Sequence, residues 1–125
     1  MTAKTVLIIA GILGILSVGI GAFGAHGLES KLTANGRIDT FETGVKYQFY
    51  HTLALLLLGI LMINLQHTYF NYSAYAFIAG ILIFSGSLYV LSLSNIGVLG
   101  AITPIGGLAF ILGWLFLVLG AVKTP

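Results

Sequence analysis

The sequence contains no cysteine and very little charge. Without cysteine the chain can form no disulfide, no thiolate metal site and no thiol redox centre, which excludes several classes of enzyme. Charged residues make up 6% of the chain, whereas a soluble domain carries roughly 25%. A domain of 125 residues leaves much of its surface in contact with solvent, and 58% of these residues are hydrophobic. The sequence therefore predicts an integral membrane protein, whose first partner is the lipid bilayer.

A basic run is also missing. The formal net charge is only +2, and no stripe of cations could neutralise successive phosphates of a nucleic acid. We therefore expect no nucleic-acid partner. Most of the charged residues lie within 29–46, and none lies between Lys46 and Lys123. Polarity is thus concentrated in one part of the chain.

Four long apolar runs dominate what is present. The first covers about residues 5–24, and about 20 helical residues match the thickness of the hydrocarbon layer. The others predict helices over about 40–65, 72–93 and 104–122. Their short connections favour one all-α domain over residues 1–125, an antiparallel bundle of four transmembrane helices. A secretory signal peptide is the alternative interpretation of the first run, which is longer than the usual apolar core of such peptides.

Residues 25–39 form the one substantial polar segment and are predicted to be an interfacial loop. Within it, residues 28–34 favour a short helix, and Asn35-Gly36 indicates a turn. Asp39 followed by Glu42 three residues later predicts the N-cap and capping box of the second helix. Lysine and arginine are almost balanced between the two membrane faces, so the orientation of the bundle stays open.

Small residues repeat at intervals of three and four along the first and fourth helices, which places them on one face of each helix. Such stripes let helix backbones approach closely in a membrane. They predict either tight packing within one chain or a seam of a homo-oligomer. The residues concerned are Ala10, Gly14, Ser17, Gly21 and Gly24 in the first helix, and Gly106, Ala109, Gly113 and Gly120 in the fourth.

A cluster of polar side chains is predicted where the first helix ends and the second begins, because these two ends share a membrane face. Ionisable groups at membrane depth usually face a cavity or one another. His51 is the main candidate for function, and a hydrogen bond between helices is its structural alternative. The predicted cluster contains His26, Glu29, Asp39, Glu42, Lys46, Tyr47, Gln48 and His51.

Other polar residues receive simpler interpretations. His67 is predicted to be a solvated loop residue, and Trp114 to pack or hydrogen-bond within the bundle. The hydroxyls of the third helix, around Ser85, are expected to bond the carbonyls of their own helix. No metalloprotease, nucleotide-binding or nucleophile motif occurs, so we expect no catalytic residue, no metal site and no cofactor.

Several segments together resemble a known family. They are GAFGAHGL at 21–28, FETGVKYQFYHTLALL at 41–56, FSGSLYVLSL at 84–93 and TPIGGLAFILGW at 103–114. The chain resembles the YgdD-type small membrane proteins, and the resemblance covers nearly its whole length. It implies a four-helix protein of the bacterial inner membrane, with relatives in eukaryotes and a proposed role in membrane integrity.

The resemblance supplies no established reaction, substrate or catalytic residue. Many members have a tryptophan near Phe41 or in the preceding segment, and this chain has none there. The characteristic positions of the family are matched by Gly24, His26, Gly27, Gly44, Tyr47, Gln48, His51, Pro104 and Gly106.

Three functional hypotheses follow. The leading one is a non-enzymatic structural or accessory protein that supports membrane integrity or a larger membrane complex. The second is an oligomeric carrier that binds a small molecule, lipid or ion near His51. The third is a redox subunit in which His26 and His51 hold a cofactor, since imidazole suits several first-row metals.

Overall fold

The computed structural model describes residues 1–125, with four long helices and one short one. They are α1 (Ala3–Gly27), α2 (Glu29–Asn35), α3 (Ile38–Asn64), α4 (Thr68–Ser94) and α5 (Thr103–Lys123), which follows a 3₁₀ turn (Gly97–Ala101). There is no β-strand. The four long segments, the last including the 3₁₀ turn, have the length and hydropathy of membrane spans. The predicted all-α membrane protein with four spans is therefore confirmed.

The first span is longer than the apolar run suggested. It begins at Ala3 because the Thr2 hydroxyl caps the helix, accepting a hydrogen bond from the Thr5 amide at 3.2 Å. It then continues through a π-helical stretch (Gly19–Gly24) as far as Gly27. His26 therefore lies in the last turn of α1, and α2 occupies most of the segment predicted to be an interfacial loop.

The predicted capping box at Asp39 is wrong. α3 begins at Ile38, and Asp39 lies inside its first turn, where it caps nothing. The reason is the turn before it: Gly36 adopts φ +65° and ends α2, and the Arg37 amide bonds back to the Leu32 carbonyl at 2.9 Å. This Schellman-type closure lets α3 start at once. The Asp39 carboxylate still interacts favourably with the positive end of the α3 dipole.

Each long helix packs against its neighbour in the chain, α1 on α3, α3 on α4 and α4 on α5. The middle helices are the most enclosed. The most apolar windows of α3 and α4 are both 44% buried, whereas those of α1 and α5 are 17% and 22% buried. One continuous core joins all four spans. It contains Val6, Ala10, Leu13, Ala54, Leu55, Leu58, Met62, Phe70, Ala74, Phe77, Ile81 and Phe110.

Phenylalanine rings of α4 fill the space left by glycines of α5. A Cβ at Gly113 would lie 2.5 Å from the Phe77 ring, and one at Gly120 would lie 2.6 Å from the Phe70 ring. Seven residues before Gly113, a Cβ at Gly106 would collide with the backbone of Phe84. The phenylalanines of α4 and the glycines of α5 each recur every seventh residue. As the glycine number rises, the number of its phenylalanine partner falls, which is the register of two antiparallel helices in knobs-into-holes contact. Ala109, on the same predicted stripe, is half-buried.

The small residues of α1 face α3. A Cβ at Gly21 would lie 2.9 Å from a methyl group of Val45, and one at Gly24 would lie 3.6 Å from the Phe41 ring. Gly14 faces Thr52 at 3.9 Å, and Ala10 and Ser17 are buried. The glycines of both stripes thus pack against helices of the same chain, with those of α5 buried and those of α1 partly exposed.

Candidate functional site

The predicted polar cluster does not form a single site. His26, Glu29 and Glu42 line a cavity of about 350 Å³ between α1, α2 and the start of α3. Asp39 and Lys46 are exposed. Tyr47, Gln48 and His51 lie further along α3 and contact other helices. The expectation of one convergent cluster is therefore wrong, because α3 carries successive residues to different sides of the bundle.

Gln48 joins three helices. Its amide nitrogen donates to the Leu13 carbonyl of α1 at 3.3 Å, and its amide oxygen accepts from the Tyr89 hydroxyl of α4 at 2.5 Å. Beside it, the Ser85 hydroxyl donates to the Gly44 carbonyl at 2.7 Å. The expected bonds to carbonyls of the same helix are made by Ser87, Ser92 and Ser94, whereas the expectation is wrong for Ser85, whose partner lies on another helix. A buried amide in this position is satisfied at both ends, as a membrane interior requires.

His51 is buried, and both of its ring nitrogens have partners. Nε2 accepts from the Trp114 indole nitrogen of α5 at 3.1 Å, and Nδ1 lies 2.8 Å from the Tyr47 carbonyl. An indole N–H can only donate, so this network assigns the Nδ1–H tautomer, which donates to Tyr47. The Phe110 ring stacks on the imidazole with a centroid separation of 3.6 Å. His51 therefore forms the hydrogen bond between helices that was the structural alternative to a functional role.

His26 and His51 do not come together. His26 lines cavities at the end of α1, whereas His51 contacts α5. No group of three or more histidine and carboxylate side chains is arranged to hold a metal ion. Joint ligation of a cofactor by these histidines would require the ligating nitrogen of His51 to give up its present partner, because both ring nitrogens have one. The geometry gives the redox hypothesis no preformed site.

A groove beside His51 opens toward the lipid. It has a volume of about 620 Å³ and lies between α3, α4 and α5. Sequence reasoning found its α3 residues but missed its α5 wall, although the aromatic residues Phe110 and Trp114 were visible signals. It is lined by Tyr47, His51, Phe84, Pro104, Gly107, Leu108, Phe110, Ile111 and Trp114.

His67 has a structural role at the opposite end of the bundle. Its Nδ1 accepts from the Tyr69 amide at 3.1 Å and so caps α4, and its ring stacks on Tyr69. The prediction of a merely solvated loop residue is therefore wrong. Nearby, the N-terminal amine donates to the Asn71 side chain at 3.4 Å, in the wall of a cavity of about 670 Å³.

Comparisons with known proteins all point to one group. A family model described as a protein of unknown function, DUF423, matches residues 20–107. The chain is 45% identical over 121 residues to the UPF0382 membrane protein YwdK of Bacillus subtilis, covering 96% of this chain and 98% of YwdK. It is 46% identical over 120 residues to a UPF0382 membrane protein of Staphylococcus saprophyticus, covering 96% and 98%.

A third relative comes from Escherichia coli. The chain is 40% identical over 123 residues to the UPF0382 inner membrane protein YgdD, covering 98% of this chain and 93% of YgdD. None of these names states a reaction, a ligand or a partner. No solved structure matches the chain.

Proposed function

We propose, since the chain belongs to the DUF423 family of proteins of unknown function, that it is a non-enzymatic structural or accessory membrane protein. It would support membrane integrity or a membrane complex through its packed helices. The predicted resemblance to YgdD-type proteins is confirmed, and so is the predicted location in the bacterial inner membrane.

One observation carries this proposal: the polar side chains inside the spans are used to join helices. His51 connects α3 to α5, Gln48 connects α3 to α1 and α4, and Ser73 of α4 donates to the Gly113 carbonyl of α5 at 2.7 Å. An acid or base in catalysis must reach the proton that it transfers, directly or through one water. Groups that already hold helices together are better suited to stability than to turnover.

The test compares His51→Ala with His26→Ala in purified protein. The first variant loses two hydrogen bonds and a stacking contact, so its thermal midpoint in detergent should fall by several degrees. The second removes an exposed side chain and should leave the midpoint unchanged. Neither variant should alter a solute flux in proteoliposomes. A specific flux or turnover that His51→Ala abolishes without lowering the thermal midpoint would contradict the proposal.

The same role can be measured in cells. A strain lacking the protein should admit more of a membrane-impermeant dye under mild osmotic stress, and the wild-type chain should reverse this. His26→Ala should reverse it equally. At a temperature that unfolds the His51→Ala variant but not the wild type, His51→Ala should fail to reverse the dye entry. Dye entry that is unaffected by loss of the protein would contradict a role in membrane integrity.

The carrier hypothesis has one observation in its favour, the groove beside His51. This groove opens sideways to the lipid, which suits a bound membrane component better than a solute crossing the bilayer. Mass spectrometry of gently purified protein would show oligomers with a bound small molecule if a carrier were present. Monomers free of such a molecule would count against it.

A further inference from the structure

One wall of the groove beside His51, defined above, is formed by Tyr47, whose side chain is 39% exposed. The hydroxyl of Tyr47 bonds to no group of the protein, whereas that of Tyr89 on the neighbouring helix does. The Tyr47 ring lies over the groove wall, with its centroid 4.6 Å from that of Phe84. A phenol in lipid gains from a hydrogen-bond partner, because hydrocarbon supplies none. The groove therefore suits an occupant that is mostly apolar and carries one hydrogen-bond acceptor.

The length of the groove matches one leaflet. Its α5 wall runs from Pro104 at the start of the helix to Trp114, a rise of about 15 Å at 1.5 Å per residue. The hydrocarbon core of a bilayer is about 30 Å thick, so one leaflet accounts for about half of it. Leu108 and Ile111 lie between these ends and are more than half exposed to lipid. An extended acyl chain of that leaflet would fit along this wall.

The outer end of the groove lies near the interface. Tyr47 is level with the first turn of α5, because it contacts Phe84, whose backbone abuts Gly106. Lys46 precedes Tyr47 on the same turn of α3 and is exposed. A lysine at this height extends its ammonium group to the headgroups. An anionic phosphate can meet Lys46 there, while the ester carbonyl below it reaches Tyr47.

We propose that this groove binds one acyl chain of an anionic phospholipid from the leaflet on the α2 side of the membrane. The Tyr47 hydroxyl donates to the ester carbonyl, Lys46 attracts the phosphate, and the end of the chain reaches Trp114. This site does not depend on the accessory role proposed above, since an enzyme or carrier could hold the same lipid.

The single tryptophan of the chain makes the site directly measurable. Trp114 lies at the inner end of the groove and is 45% exposed. Phosphatidylglycerol that is brominated near the end of one acyl chain quenches tryptophan fluorescence on contact. The protein is reconstituted in phosphatidylcholine vesicles with a small mole fraction of this probe, and quenching is normalised to vesicles made wholly of brominated lipid. We expect quenching well above the value that the mole fraction predicts.

Two matched pairs of variants test the groove and its polar anchor. Gly107→Leu fills the groove, and its Cβ has only ordinary contacts, 3.8 Å from the Phe84 ring. Gly11→Leu adds the same side chain to open space on α1. Gly107→Leu should reduce quenching to the mole-fraction value, and Gly11→Leu should leave it unchanged. Circular dichroism and the thermal midpoint confirm that both variants are folded.

Tyr47→Phe removes only the free hydroxyl, and Tyr50→Phe is its control on the same helix. Loss of one hydrogen bond should weaken the relative affinity for the probe roughly two- to tenfold in Tyr47→Phe alone. Lys46→Gln should remove the preference for the anionic lipid. Wild-type quenching equal to the mole-fraction value, or Gly107→Leu quenching equal to that of the wild type, would overturn the proposal.

Discussion

The α4–α5 interface and the α1–α3 interface use the same kind of small-residue stripe but differ in how closely the helices fit. At α4–α5, phenylalanine rings and backbone occupy the space where Cβ atoms of Gly106, Gly113 and Gly120 would lie. At α1–α3, Gly14 and Gly24 have ordinary van der Waals distances of 3.9 and 3.6 Å to their nearest neighbours. The close contacts of this interface, at Gly21 and Gly59, are with the methyl ends of the Val45 and Leu7 side chains rather than with rings or backbone. A stripe of small residues in a sequence therefore does not reveal whether each glycine is required.

The hydrogen bonds across the two interfaces also differ: the Gln48 amide donates across α1–α3 to the Leu13 carbonyl at 3.3 Å, and the serine bond across α4–α5 is shorter. Ser73 of α4 donates to the Gly113 carbonyl of α5 at 2.7 Å, whereas Ser17 of α1 donates to Leu13 of its own helix at 2.7 Å. Without a hydrophobic drive between helices in lipid, close packing and such bonds supply the association. We therefore expect α4–α5 to be the more rigid pair and the more sensitive to substitution.

The largest effect is expected for Gly106→Ala. Its Cβ would meet the backbone of Phe84, which cannot rotate away, so α5 must move off α4. Overpacking of this kind costs about 3 kcal/mol, the upper part of its usual range. Unfolding of the variant in mixed micelles by titration with dodecyl sulfate measures this loss.

The neighbouring Gly107→Ala provides the control for that measurement. Its Cβ would lie 3.8 Å from the Phe84 ring, an ordinary contact, so its free energy of unfolding should stay near the wild-type value. Equal stability of the Gly106→Ala and Gly107→Ala variants would show that the close fit at α4–α5 is not required.

A smaller loss is expected for Gly113→Ala, because the obstructing atoms belong to a side chain. The Phe77 ring, 2.5 Å from the added Cβ, can shift at a cost of about 1–3 kcal/mol. Adding Phe77→Leu should return part of this loss, so the double-mutant cycle in the same micelle assay should show a coupling that favours the double variant. Purely additive effects would contradict the contact.

Ser73→Ala should cost less again. Hydrogen bonds between membrane helices average about 0.6 kcal/mol, and this variant loses one of them. Ser17→Ala loses only the bond from the Ser17 hydroxyl to a carbonyl of its own helix, α1. Such a bond joins no second helix and competes with the backbone hydrogen bonds of α1, so the stability of this variant should hardly change. Titration of both variants checks the difference, and an equal or larger loss in Ser17→Ala would reverse our comparison.

The smallest effect is expected for Gly14→Ala. The new methyl group would lie 3.9 Å from Thr52, and alanine favours the helix over glycine by up to about 1 kcal/mol. The variant should therefore unfold at the same dodecyl sulfate concentration as the wild type or slightly above it. A loss comparable with that of Gly113→Ala would mean that α1 and α3 fit as closely as α4 and α5.

Local sequence was a good guide to the spans and a poor guide to their ends. A bilayer forces apolar runs of sufficient length to be helical, so four spans were predictable. The start of α3 was not, because the closure of α2 at Gly36 and Arg37 placed Asp39 inside the helix. The seven-residue spacing of Phe70, Phe77 and Phe84 was a usable signal, but its meaning depends on the matching glycines of α5.

The polar residues show the same division. Composition identified His51 and Gln48 as unusual at membrane depth, because a buried polar group in lipid must find a partner. Their partners were not predictable from position in the chain. Trp114 is 63 residues from His51 and Tyr89 is 41 residues from Gln48. His26 is much nearer to His51 in sequence than Trp114 is, but it lines a different cavity.

By itself, the sequence determined that this chain crosses a membrane four times, because its apolar runs can hide their backbone groups from lipid only as helices. Only the tertiary structure decided which helix faces meet, and with them which polar side chains are satisfied. Helix rotation and register set those contacts, and both depend on the simultaneous fit of all four spans. The same fit leaves the groove beside His51 between α3, α4 and α5.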